Sequence, residues 1–212
     1  MAAVLGDYYH KPDAQRAAIE QAAGELGAEI ETFLDPLGVP WDSLSRWAVV
    51  VMAREGRTTP AASKDVWFTA AHQQAVSAFV RAGGALVGLH AGLSSYGHDG
   101  EYGRTTHGSF INHPVEHPDF LVRRTRAAHQ ITRGMKEFSI RDEMYFVRVD
   151  SGQTTILMES WSPDYGSSAA AWAHQIGKGR VFCFTPGHRD EVLASPAYLA
   201  VLRNGLRWAA AL

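Results

Sequence analysis

The sequence predicts an α/β fold: a doubly wound, mostly parallel sheet with helices on both faces and additional β-strands in the second half. Three observations carry this expectation. Short apolar, β-branched runs alternate with stretches of helical spacing from Ala2 to Leu89. Glycines stand where each early helix must stop, at Gly27 and at Gly83-Gly84. After Gly92 the helical rhythm gives way to a Gly/His/Ser/Tyr-rich stretch and then to a series of short strand-like runs.

In chain order, Ala2 to Leu5 reads as a buried strand ended by Gly6-Asp7. Asp13 to Leu26 places Ala14, Ala17, Ala18, Ala22 and Leu26 on one helical face behind Pro12. Ala28 to Phe33 alternates like a strand, and Trp47 to Met52 is the apolar run of a strand covered on both faces. Lys64 to Ala82 is helical in spacing, and Ala85 to Leu89 is the next strand. Residues 93 to 118 lack clean periodicity and read as functional loop. Further strands are expected at Asp119 to Thr125, Phe138 to Ile140, Met144 to Val149, Thr154 to Met158 and Ala169 to Gln175. Gly177-Lys178-Gly179 reads as a hairpin turn into an apolar strand, Arg180 to Phe184. Ser195 as N-cap and Pro196 at the first helical position open a last helix that runs to the C-terminus.

The 212 residues suit one domain spanning 1–212. With 46% apolar and 20% charged residues the composition is that of an ordinary globular domain. A net charge of −2 offers no basic field for nucleic acid. The longest apolar run, near Gly83 to Leu89, is far too short for a bilayer, and no basic stretch followed by an apolar one marks a secretory leader. A single cysteine, Cys183, rules out a disulfide framework and fits a reducing cytoplasm. It lies in an apolar strand, where it reads as a small buried hydrophobe.

Ten histidines draw attention by position. Gly88-Leu89-His90-Ala91-Gly92 has the form of a nucleophile elbow, with small residues flanking a sharply presented side chain. Histidine there suits a ligand or general base, and no Ser or Cys nucleophile stands in its place. Thr185-Pro186-Gly187-His188 follows another strand, and open α/β sheets bind ligands at carboxyl strand ends. In Arg141-Asp142-Glu143-Met144-Tyr145, Glu143 is either a ligand or acid/base group or, more simply, a surface ion-pair partner of Arg141. Among His107, His113 and His117 one is expected in the site, with the others solvated; Pro114 and Pro118 exclude a helical zinc motif. Asp7 and His10, after the first strand, are candidates to line the same cleft. His129, Trp172 and Trp208 read as structural.

Several segments, in order, resemble the ThuA-like (trehalose utilization) family. They are Gly83-Gly84-Ala85-Leu86-Val87-Gly88-Leu89-His90, Gly108-Ser109-Phe110 with His113-Pro114, His129-Gln130-Ile131-Thr132-Arg133-Gly134, Asp142-Glu143-Met144-Tyr145, Gly177 to Phe182, Gly187-His188 and Asn204 to Ala209. Gln130 and Ala171-Trp172 depart from prolines common in that family. The resemblance implies a flavodoxin-like fold of the class I glutamine amidotransferase-like superfamily. With His90 at the elbow, that superfamily's thiol chemistry is not carried over.

It also implies a role in sugar metabolism. The leading expectation is a metal-assisted hydrolase or lyase acting on an oxidised, 3-keto glycoside such as a trehalose derivative. The alternatives are a non-catalytic sugar- or metal-binding protein and an interaction subunit beside a sugar dehydrogenase. His90, Glu143 and His188 are the expected catalytic residues; Asp7, His10 and Tyr145 are expected to bind substrate. His90, His113, Glu143 and His188 are expected to hold a divalent ion, Zn or Mn, the second and third because they sit in the family's motifs. No nucleotide cofactor is predicted, the partner is a small sugar, and a homodimer is left open.

Overall fold

The computed structural model describes residues 1–59 and 65–212. Its elements are β1 (Ala2–Leu5), α1 (Pro12–Gly24), β2 (Glu31–Phe33), β3 (Val49–Ala53), α2 (Ala70–Ala82), β4 (Ala85–Leu89), α3 (Glu101–Thr106), β5 (Gly108–Asn112), β6 (Asp119–Arg124), β7 (Phe138–Arg141), β8 (Phe146–Val149), β9 (Thr155–Ser162), β10 (Gly166–Ile176), β11 (Gly179–Phe184), α4 (Asp190–Leu193) and α5 (Pro196–Ala209). The main sheet is mixed, in the order β2-β1-β3-β4-β11-β10-β9-β6-β7. Its first five strands run parallel, giving the doubly wound half. From β11 onward every pairing is antiparallel, so the later strands extend the same sheet. The switch occurs at the hairpin between β10 and β11, where Gly177 takes a φ of +60°. β5 and β8 form a separate antiparallel pair.

The parallel strands are apolar throughout because both their faces are covered. Leu5, Val51, Val87 and Leu89 pack with Ile19 of α1 and Val201, Leu202 and Leu206 of α5. The alternate residues Val4, Val50, Met52 and Leu86 pack with Val76, Phe79 and Val80 of α2. Side chains alternate across a strand, so one apolar run serves two cores. Each large aliphatic group buried this way contributes about 1.5–3 kcal/mol. Among the described residues, no helix is long and apolar enough to cross a membrane.

Two segments depart from the sequence expectation. The helix expected from Lys64 begins at Ala70; Lys64 itself lies outside the described residues. The backbone N–H groups of Trp67 and Phe68 donate to Gly56 O, and the Trp67 indole donates to Glu55 O, which holds this stretch out of the helix. Within residues 93–118, expected as loop, α3 and β5 form instead. Tyr102 of α3 is fully buried and donates its hydroxyl to Gly92 O, so tertiary packing orders a helix too short to show periodicity.

Candidate functional site

The segments that follow β1, β4, β5 and β11 bring His10, His90, His113, His117 and His188 around the Glu143 carboxylate. β4 and β11 are parallel neighbours, with Leu89 opposite Phe184, so His90 and Thr185 to His188 emerge side by side. His90 has a φ of +41°, in the left-handed region, and this sharp turn aims its ring inward. The turn needs Gly92: a Cβ there would lie 1.9 Å from Met52 O of β3. The elbow expected from the sequence is therefore present, with histidine at its apex.

The other loops are held by buried carboxylates. Asp142, fully buried, accepts backbone N–H bonds from Gly187 (2.7 Å), His188 (3.2 Å) and Arg189 (3.0 Å). It thereby fixes the β11 loop against the segment carrying Glu143. Asp7 accepts from the amides of Tyr9, His10 and Glu55 and from His10 Nδ1 at 2.7 Å. Burial opposes its ionisation, but His10 and these amides together hold its pKa below the ordinary carboxylate value.

Hydrogen bonds also set the tautomers. His90 Nδ1 donates to Thr185 O at 2.7 Å, so its Nε2 presents a lone pair inward. His10 Nδ1 donates to Asp7, leaving Nε2 in the same role. His113 Nδ1 donates to Pro114 O at 2.6 Å. Glu143 Oε2 stands 3.3 Å from His90 Nε2 and 3.2 Å from His188 Nδ1. Its Oε1 stands 3.5 Å from His113 Nε2 and 3.6 Å from His117 Nε2. His10 Nε2, His90 Nε2 and His188 Nδ1 are all buried and make no hydrogen bond. One donor atom from each of His10, His90, Glu143 and His188 lies within 4.8 Å of every other.

Burial would raise the Glu143 pKa, but His188 and His90 hold it well below the carboxylate range. For His90, burial outweighs the attraction of Glu143 and lowers the pKa, so the ring is neutral. His188 shows the reverse balance: burial opposes its charge, and Glu143 prevails and raises the pKa. Orphaned imidazole nitrogens crowded around an ionised carboxylate form a donor set, N₃O, that fits a divalent cation. Ligands about 2.0–2.2 Å from a tetrahedral ion stand roughly 3.3–3.6 Å apart, which the two Glu143 Oε2 distances approach.

The structure brings His90, Glu143 and His188 together as expected, their rings of His90 and His188 5.6 Å apart between centroids. Four further placements are observed. His10, expected to bind substrate, belongs to the compact donor group, while His113 stands on the other carboxylate oxygen. Both His113 and His117 reach Glu143, where one histidine was expected; His107 instead packs against His174 with the rings tilted, centroids 4.2 Å apart. Arg141 does not pair with Glu143: its Nε donates to His117 O. Tyr145 is buried and stacks on His90 at 4.2 Å, and Asp7 accepts from His10 Nδ1, so each contacts one ring of the donor group. Asp142, which fixes the β11 loop, was not singled out from the sequence, where the acid pair beside a strand boundary was the available signal; His117 was one of the three histidines of which one was expected.

The mouth of this cluster is a cleft of about 320 Å³ lined by Tyr9, Lys11, His117, His188 and Arg189 among others. Larger hollows, of about 570 Å³ beside Trp41 and about 680 Å³ beside Arg81, lie away from the carboxylate.

A family model described as ThuA, trehalose utilisation, matches residues 3–209. No curated protein matches the chain. Among solved structures, a ThuA-like protein from Parabacteroides merdae ATCC 43184 is similar with a TM-score of 0.78 and 15% identity, covering 99% of this chain and 88% of that one. A ThuA-like protein from Bacteroides uniformis ATCC 8492 gives a TM-score of 0.72 at 18% identity, covering 98% and 90%. A β-galactosidase from Rahnella sp. R3 gives 0.65 at 14% identity, covering 98% of this chain and 30% of that one. At such identities the likeness is one of fold.

Proposed function

The chain belongs to the ThuA (trehalose utilisation) family, and from that premise we propose that it is a metal-assisted enzyme cleaving an oxidised, 3-keto glycoside. The observation that carries this reading is the set of three buried imidazole nitrogens, on His10, His90 and His188, left without hydrogen bonds around one carboxylate. These three residues and Glu143 would hold a divalent ion, Zn²⁺ or Mn²⁺. Such an ion, when bound, supplies Lewis acidity to a carbonyl oxygen.

The chain's own groups divide the remaining work. Glu143, held far below the usual carboxylate range, is a poor proton acceptor near neutral pH and acts as a ligand. Thr185 O and Asp7 keep the His90 and His10 lone pairs inward. His113 and His117, a quarter to a third exposed at their side chains, face the open side and are the groups available to move protons. A ketone at C3 acidifies the C2 proton. An imidazole takes that proton, the C1 substituent leaves with its electron pair and receives a proton, and a C1=C2 bond forms. Water then adds its hydroxyl to C1 and its hydrogen to C2, so the sum is hydrolysis. An ordinary glycosidase needs two carboxyl groups flanking the scissile bond; among the described residues Glu143 is the one carboxylate within 4 Å of both His90 and His188, and Asp7 is engaged by His10 and backbone amides.

The test incubates the protein with 3-keto-trehalose and with trehalose in deuterated water, with and without Zn²⁺ or Mn²⁺. The expected result is metal-dependent C2 exchange and cleavage of the keto sugar only. Glu143→Gln and His10→Ala should each weaken metal binding in a calorimetric titration by roughly ten- to a hundredfold or more. Metal-independent cleavage of unoxidised trehalose without C2 exchange would sink the reading.

A further inference from the structure

A second polar cluster lies one strand over from the four donors. β3 sits between β1 and β4, and the chain leaving it carries Glu55 and Arg57. Glu55 is 3% exposed. Both its oxygens engage Arg57, at 3.1 Å from Nε and 2.7 Å from Nη2, and Ser95 Oγ donates to it at 3.3 Å. The Arg57 side chain is 26% exposed, so this fork is sunk on one side and open on the other. Two of the five guanidinium N–H groups go to Glu55.

Ser95, just beyond the His90 elbow, has a φ of +67°. A serine rarely adopts this conformation, and here it is clamped: a Cβ at Gly56 would meet Ser95 O at 2.7 Å. The strained serine is the one whose hydroxyl reaches Glu55. Asp7 joins the two clusters, accepting from His10 with one oxygen and from the Glu55 amide with the other. Tyr9, 44% exposed, stands on the same rim, near enough to Arg57 for the two to interact electrostatically, and Tyr8 packs against it edge-on at 4.9 Å.

We propose that Tyr9, Arg57 and Ser95 form a subsite for a second sugar unit, the group that departs from C1 of the keto sugar. An exposed aromatic ring offers an apolar face to a pyranose, and a neutralised Arg–Glu pair beside a hydroxyl offers donors and acceptors for its ring hydroxyls. Neither feature is needed for the donor group, whose second-layer contacts come from Asp7, Asp142 and Thr185. The subsite selects glycosides whose leaving group is itself a hexose over those with a small alkyl group. The assignment of the departing unit rests on the keto-glycoside reading above.

The experiment titrates wild type, Tyr9→Ala, Arg57→Gln and Ser95→Gly with 3-keto-trehalose and with methyl 3-keto-α-glucoside, following binding by calorimetry and cleavage separately by product release. Tyr9→Ala removes an exposed ring, and Ser95→Gly suits a positive φ, so two of the three variants keep the fold; thermal melting checks all of them. The expected result is about a tenfold loss of affinity for the two-sugar ligand and under about a twofold change for the methyl glycoside. Equal losses for both ligands, no loss for either, or a wild type that binds the two equally or not at all would overturn the subsite. If the wild type binds both and cleaves neither, the cleavage reading fails, while the binding ratio still decides the subsite.

Discussion

Cys183 on β11 and His90, just past the end of the neighbouring β4, show opposite uses of burial at single residues. Cys183 is fully buried among apolar side chains, and burial pushes its thiol pKa up, so at neutral pH it stays protonated and unreactive. Cys183→Ser should therefore leave metal binding and turnover unchanged and cost about 1 kcal/mol of stability, because a hydroxyl replaces a thiol in an apolar site. Denaturant unfolding and the keto-sugar assay check both halves; inactivation of a variant that still folds would overturn the reading. His90 is as buried but carries polar partners, and its place was legible because Gly88 and Gly92 bracket it. His10 was legible only as a cleft residue. Its place in the donor group depends on Asp7 accepting from Nδ1, a contact that no spacing announces. The reach of His113 and His117 to Glu143 was hidden for a similar reason. Both hang from an irregular segment, and Arg141 of β7, 24 residues later in the chain, fixes the carbonyl of His117.

Apart from the start of α2, the parallel half could be read closely because its elements carry their own signals: β1 and β4 stand at the limits the apolar runs predict, and the Ser195-Pro196 start of α5 is observed with Ser195 accepting from the Tyr198 amide. The later strands were located, but not their pairing, because antiparallel order depends on partners that a run of residues does not name. α3 and β5 were missed for want of length and of alternation; Phe110 to Asn112 of β5 are only partly buried or exposed. The elbow after β4 depends on contact between elements. Gly92→Ala would drive a methyl group into the β3 backbone at Met52 O. The expected cost is about 3 kcal/mol, with a parallel loss of metal affinity as His90 is displaced. Urea unfolding combined with metal titration tests this, and an alanine variant of unchanged stability and affinity would show that the elbow can yield.

At the scale of the whole molecule, the protein should be sensitive to acid through groups far from the donor cluster. His174 donates from Nε2 to Thr105 O and accepts from the Thr154 hydroxyl at Nδ1, so it is held neutral. Burial, helped by His107, lowers its pKa to about 4. The unfolded chain takes up that proton below about pH 6.5. Stability is therefore full above that pH and declines as the pH falls toward 4, by roughly 3 kcal/mol from this residue. His174→Gln keeps a donor and an acceptor without a charge to bury. With metal chelated, its urea midpoint should fall less between pH 7.5 and 4.5 than that of the wild type; equal falls would remove His174 from the account. The pairing of β4 with β11 has a further consequence, in time rather than in energy. The carbonyl that sets the His90 tautomer belongs to Thr185, 95 residues later in the chain. Until β11 has been made and has slotted beside β4, His90 lacks its orienting partner and His188 is not in place. On the proposed metal reading, ion capture would be a late event of biosynthesis, and the rate at which a refolding chain takes up metal would be a clock for closure of its longest-range strand pairing.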